Sequence, residues 1–436
     1  MPTAFQLPLI LLMVLLAGCT SLRQCRTDLS PCQPSASDPG ACEHAALEET
    51  PSYLLGFVEV DDQGWLFQRD QLKAVLDRIG QEEKNNRLLI VTFVHGWKHN
   101  ARTDDTNVEM LRKNLRILNL LERSVSKREG RPARKIVGVY CGWRGLSQTL
   151  PVLKEFTFWE RKNTAQEVGR GALGEVFMKL EDIRNQSHIQ HTNEPSQTRL
   201  IIVGHSFGGA ATFSALSALL TERAVHDADH ITEGRYRFAD LVMLVNPAFE
   251  AARFEILEEA ARSENGATSN QVSIAIFTSK SDDATKIAFP LGRYFSTLFE
   301  KYKDDFQKKA NVTAVGHFQP FITHDLIDTT AEATSRVKNG DNKTDEVAGE
   351  TEGETDQVLA LRAQVRASRK ARVEESANEE FHFNGSDLRP RPGHDPQFPL
   401  YVVSVDPRII PDHNGIDTKQ FLRFLGQFVL AFLPPD

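Results

Sequence analysis

The sequence lacks a basic excess. Its 51 Lys and Arg are outnumbered by 59 Asp and Glu, for a net charge of −8. That excludes the positive footprint of a general nucleic-acid binder. The conspicuous apolar run at residues 7–16 falls short of the ~18 residues that a membrane-crossing helix needs. The five cysteines contain no CxxC and no matched Cys/His spacing, so a zinc site has no support. His95 and His99 stand four apart, but Gly96 occupies the place of the glutamate in H-E-x-x-H and argues for a turn. No internal repeat is present. What remains is 436 residues of ordinary globular composition, 40% hydrophobic and 25% charged, with ample length for a large core.

The N-terminal run reads as the h-region of an export signal. Its ending, Leu16-Ala17-Gly18-Cys19, resembles a bacterial lipobox. The resemblance implies a signal over 1–18, a lipid on Cys19 and attachment to a membrane through that lipid. Residues 1–10 carry no Lys or Arg, which leaves the terminal amine as the only charge of the n-region. Thr20, in place of an aspartate, favours the outer membrane of a bacterial envelope, facing periplasm or surface. Residues 19–50 are rich in Ser, Pro and Cys and read as a flexible tether. An oxidising compartment allows disulfides there, most simply Cys25 with Cys32, although four cysteines permit three full pairings. Cys141 sits in an apolar strand pattern and reads as a free core thiol.

The centre of the sequence is Leu200-Ile201-Ile202-Val203-Gly204-His205-Ser206-Phe207-Gly208-Gly209-Ala210-Ala211. A β-branched apolar run meets Gly-x-Ser-x-Gly, and small residues that can start a helix follow. The pattern predicts a strand, a sharp turn and a helix, with Ser206 strained at the tip and its hydroxyl exposed. Side chains at 204 and 208 would collide across so tight a turn. In this context the motif resembles the nucleophile elbow of the α/β-hydrolase superfamily, and the resemblance spans roughly residues 53–432 apart from an insertion at 330–395.

The rest of the chain alternates strands with helices, which predicts a doubly wound, mostly parallel sheet flanked by helices. Strands are predicted at 88–94, 135–143, 239–245, 271–278 and 399–405, and helices at 70–79, 104–126, 165–184, 207–223 and 418–432. Residues 53–60 and 65–68 read as a β-hairpin about Asp61-Asp62-Gln63-Gly64. The aromatic stretch 144–162, with Phe156, Phe158 and Trp159, reads as a loop over the strand ends, either a lid or acyl pocket or packing against the body. His188 and His191 fall in a polar loop. Residues 339–356 are acidic and poor in large apolar side chains, which predicts disorder. A basic helix is predicted at 358–373, solvated or touching an anionic membrane.

A serine hydroxyl needs a base within reach and a carboxylate to orient that base. The family order is Ser, then acid after the seventh strand, then His after the eighth. The resemblance therefore implies Ser206 as nucleophile, Asp282 as acid and His413 as base. Asp283 is the rival acid, or the start of the next helix. Asn246, at the end of the sixth strand, cannot be the carboxylate. His317, His324, His382 and His394 precede the last strand and would need unusual topology. Trp97, after His95-Gly96, and Phe207 are implied as backbone donors of an oxyanion hole. The implied activity is hydrolysis of a carboxylic ester of a small molecule or lipid through an acyl-enzyme, with no metal or organic cofactor. Two alternatives stay open: other acyl transfer at the same serine (thioesterase, amidase or acyltransferase), and a catalytically lapsed surface lipoprotein acting as a binding module.

Overall fold

Leu88 to Val94 and Arg199 to His205 are apolar on both faces, and the fold uses both faces. Leu88, Ile90, Leu200 and Ile202 point into one core, and Leu89, Phe93, Ile201 and Val203 into another. This is the pattern of parallel strands covered by helices on either side. The structure, a computed structural model, describes residues 23–35, 40–145, 151–226, 238–262, 273–330, 346–371, 380–393 and 398–434. Cys19 and His394 lie outside the described residues.

Among the described residues the strands are β1 (Asp28–Cys32), β2 (Ala45–Glu49), β3 (Tyr53–Glu59), β4 (Leu88–Val94), β5 (Lys135–Gly142) and β6 (Arg199–His205). They continue as β7 (Leu241–Val245), β8 (Ile274–Ser279), β9 (His324–Asp328), β10 (Phe381–Phe383), β11 (Ser386–Pro390) and β12 (Leu400–Val405). All join one sheet in the order β1-β2-β3-β5-β4-β6-β7-β8-β12-β9-β11-β10. From β3 to β9 every neighbouring pair is parallel. β2 is antiparallel to β3, and β11 is antiparallel to both β9 and β10.

The helices are α1 (Arg69–Glu83), α2 (Thr106–Glu129), α3 (Pro151–Val168), α4 (Gly174–Gln190), α5 (Phe207–His226), α6 (Ala251–Arg262), α7 (Phe289–Ser296), α8 (Asp305–Val312), α9 (Glu346–Ala371) and α10 (Lys419–Phe432). Helices α1 and α4–α6 contribute to one core, and α2, α9 and α10 to the other. Local chemistry fixes the helix starts on either side of the site. Asp105 accepts from the Asn107 N–H ahead of α2, and Thr418 accepts from the Phe421 N–H ahead of α10. The α/β class, with a mostly parallel sheet flanked by helices, is thus as the alternation of elements predicts.

Several expectations are corrected. The described part of 19–50 is no tether: it supplies β1 and β2 and seats a fully buried Arg26. Cys32 is bonded to Cys42 and Cys25 is free, because Glu59 draws the Cys25 and Arg26 N–H groups onto the end of β3. Cys141, by contrast, is the buried free thiol that its strand pattern predicts. The turn at 61–64 closes on a single Val60–Leu66 bridge, and the antiparallel neighbour of β3 is β2.

Residues 151–162 belong to helix α3, not to a loop, and a kink with non-helical backbone at Gly171 separates α3 from α4. His188 lies within α4, with Nε2 2.7 Å from the Thr198 carbonyl. The insertion is ordered where it is described. Val358, Leu361 and Val365 of α9 are buried in the core that α2 and α10 share, Arg362 reaches the Leu430 carbonyl and Glu129, and β10 and β11 extend the sheet.

Candidate active site

Ser206 sits between β6 and α5 with φ of 56°, a left-handed backbone that costs a non-glycine residue ~1–2 kcal/mol. The glycines around it follow from crowding. A Cβ at Gly208 would lie 2.1 Å from the Val94 carbonyl oxygen, and one at Gly204 2.7 Å from Thr212 Oγ1. One at Gly96 would lie 2.7 Å from the Ser206 Cβ, so the turn that carries Trp97 is pressed against the serine. The Ser206 N–H donates to the Val245 carbonyl, and the Ser206 carbonyl accepts from Ala210 and Ala248. Those bonds hold the turn in a conformation the residue alone would avoid.

Ser206 Oγ is 2.6 Å from His413 Nε2, and His413 Nδ1 is 2.8 Å from Asp282 Oδ1. The three residues come from the C-terminal ends of β6, β8 and β12, at separations of 207 and 131 residues. With Nδ1–H donating to the carboxylate, Nε2 is left to accept the serine proton. Asp282 is fully buried. Burial acts to raise its carboxyl, but the hydrogen bonds from His413 and Thr285 and the attraction of His413 outweigh it and hold the group below the ordinary aspartate value. Asp283 is exposed and makes no side-chain cap for the turn that follows. Ser206 itself is only 1% exposed, in contrast to the predicted exposed hydroxyl, and His413 is the most accessible of the three.

The loop that carries His413 is fastened by residues to which sequence reasoning gave no part. Asn246, at φ 45°, donates from Nδ2 to the His413 carbonyl at 2.9 Å and accepts from the Ser279 N–H at 2.9 Å. His205 Nε2 donates to the same His413 carbonyl at 2.9 Å. Ser279 and Ser281 donate to the Ile410 and Pro411 carbonyls at 2.6 and 2.7 Å. Thr285 Oγ1 donates to Asp282 Oδ2 and lies 3.0 Å from His317 Nε2. Asn246, Ser279 and Ser281 stand at or just past the C-terminal ends of central strands, where ligand sites of open α/β sheets form. That position was the available signal.

Other histidines among the described residues have other partners. His95 Nδ1 donates to the Gly96 carbonyl at 2.9 Å, while its Nε2 accepts from the Trp143 N–H at 3.0 Å. His99 pairs with Asp105. Burial pushes His95 down to about 4 and His205 down to about 3, so both are neutral near pH 7. His324 is buried in β9 against Tyr401, and His382 pairs with Asp387 at the far end of the sheet. Arg389 bridges Asp387 and Glu380 beside it, which already balances that acidic group.

No family model and no curated protein matches the chain. A solved structure of a YdeN-like hydrolase from Pectobacterium atrosepticum is similar over 53% of this chain and 80% of its own length, at 14% identity and a TM-score of 0.15. A superposition that loose bears on neither fold nor chemistry.

Proposed function

We propose that this chain is a serine hydrolase of the α/β-hydrolase type that cleaves a carboxylic ester through an acyl-enzyme on Ser206. The observation that carries the reading is the continuous relay from Ser206 Oγ through His413 to Asp282, built on a strained serine at the end of a central parallel strand. His413 takes the serine proton as Oγ attacks the ester carbonyl, and returns a proton to the departing alcohol. Water then attacks the acyl-enzyme with the same imidazole as base, releasing the acid and restoring the serine. Asp282 keeps the proton on Nδ1 and stabilises the imidazolium that forms in each step. The backbone N–H groups of Trp97 and Phe207 are the proposed oxyanion donors, supported by the close approach of Gly96 to Ser206.

Turnover of p-nitrophenyl esters of graded chain length by wild type and Ser206→Ala tests the reading. Hydrolysis by the wild type that the substitution abolishes supports it, and equal rates in the two remove it. We also propose that Cys19 carries a lipid anchor in a bacterial envelope. Cys19→Ala then releases the mature protein from the membrane fraction, and full retention of that variant contradicts the anchor.

A further inference from the structure

A second feature of the same rim is unused by this chemistry. The chain that leaves Asp282 turns through Ala284–Ala288 into α7, and it carries its apolar side chains on the wrong side for a soluble helix. Ile287, Leu291, Tyr294, Phe295 and Leu298 recur at helical spacing and are 55–64% exposed, and Phe299 beyond them is 98% exposed. The opposite face is clamped to the body. Phe289 and Thr297 are buried, and Arg293 Nε reaches Glu250 at 3.0 Å and the Asn311 carbonyl at 3.1 Å. Glu250 also holds Lys162 at 2.6 Å. The outward apolar face is therefore a built orientation and not loose packing. Scattered exposed apolar residues need no explanation, but six within thirteen residues, on α7 and the turns that flank it, mark an interaction site.

We propose that this face docks onto the surface of a phospholipid bilayer, inserting its aromatic and aliphatic side chains among the headgroups. Three features favour lipid over a protein. A phenylalanine that is almost wholly exposed is a convex knob, which a rigid partner must match with a pocket and a fluid interface accepts as it is. Tyr294 supplies an apolar ring with a polar tip, suited to that boundary. Between Lys280 and Lys309 there are seven Lys and Arg against five Asp and Glu, a positive excess of two in a chain of net charge −8. Lys286, Lys301, Lys303 and Lys308 are exposed in this stretch with Glu300, Asp304 and Asp305 among them beside Tyr294 and Leu298, so the attraction to anionic headgroups is that of the net excess. Because the face begins at Ile287, five residues after Asp282, docking sets the candidate site at the lipid surface. Resting on the serine-hydrolase reading, this names the substrate class as an acyl ester held in a lipid layer.

The test uses the full chain carrying Cys19→Ala, so that no anchor contributes, with and without Phe295→Ser and Phe299→Ser. Flotation with vesicles of equal phosphatidylcholine and phosphatidylglycerol is measured beside turnover of water-soluble p-nitrophenyl acetate. The double substitution is expected to lower vesicle binding about tenfold or more, with the thermal midpoint and acetate turnover unchanged. Undiminished vesicle binding overturns the proposal. So does a concentration-dependent dimer that the substitutions abolish in a chain that binds no vesicles. If neither protein cleaves the acetate but vesicle binding is still lost, docking stands and the hydrolase reading falls.

Discussion

The centre of the sheet and its two ends are held by different forces. From β3 to β12 the strands are parallel, apolar on both faces and covered by helices, so burial of side chains stabilises them. At one end β1 and β2 depend on Arg26. Its guanidinium donates to the carbonyls of Ala101 and Cys42 at 2.7 Å, meets Glu48 at 3.2 Å and lies over the Phe57 ring. At the other end Arg391 ties β9 through Asp325, and Gln420 bonds Asp328 and the Gly385 carbonyl. The centre can therefore hold a strained serine and neutral buried histidines at its edge, because packing secures it. The ends also bury apolar side chains, Leu47 at one and Phe381, Phe383 and Leu388 at the other, but add buried or half-buried polar ties to them. The two regions should fail differently: changes at the site cost activity without unfolding, and changes at the ends cost stability without altering the chemistry.

The largest expected effect is at the centre. Asp282→Asn should lower ester turnover about 10⁴-fold by losing the productive tautomer, while Asp283→Asn leaves it near wild type. Steady-state rates of the two variants decide, and the reverse order would move the acid to Asp283. At the end, Arg26→Ala leaves the Glu48 carboxylate buried with only Arg112 beside it. It should cost about 3–5 kcal/mol in urea unfolding, with turnover per folded molecule retained.

Acid should weaken the centre through its neutral histidines. His95 and His205 take up protons near pH 6.5 once unfolded, but only at about 4 and about 3 when folded. Below pH 6.5 the unfolded chain binds more protons, so stability falls as pH falls, by about 1 kcal/mol per pH unit for each histidine until the folded values are reached. The depressed carboxyl of Asp282 adds its loss lower still, as pH drops below the ordinary aspartate value toward the folded one. Urea midpoints between pH 7 and 4 read the slope, and a flat profile contradicts it. Smaller again, Asn246→Ala frees the His413 loop and should lower kcat about 10–100-fold with KM little changed. The smallest effect concerns strain. Ser206→Gly should be about 1 kcal/mol more stable than Ser206→Ala, since only glycine is relaxed at φ 56°.

The same contrast explains what the sequence revealed. β4 has the predicted bounds, 88–94, because a continuous apolar run between turns leaves no competing assignment. The positions of Ser206, Asp282 and His413 are implied by the resemblance, whose order of serine, acid and histidine is laid along the strands, and parallel connections bring strand C-termini to one edge. The ends escaped because their determinants are polar and distant. Nothing near Arg26 announces Glu48 or Ala101, and Cys25 looks like a disulfide partner until Glu59 is seen to hold its backbone. In α9 the buried Val358, Leu361 and Val365 are outnumbered by charged neighbours, so the composition suggested a solvated segment. Asn246 was weighed only as a possible acid, and its use as a fastener for His413 has no sequence pattern of its own.

The central claim is that His413 and Asp282 activate Ser206. Labelling the folded chain with a fluorophosphonate and mapping the adduct by peptide mass spectrometry tests it most directly. The account predicts one adduct, on Ser206, lost in urea and in His413→Ala. No adduct on the folded chain, or an adduct on Ser206 that persists in His413→Ala at the wild-type rate, would contradict it.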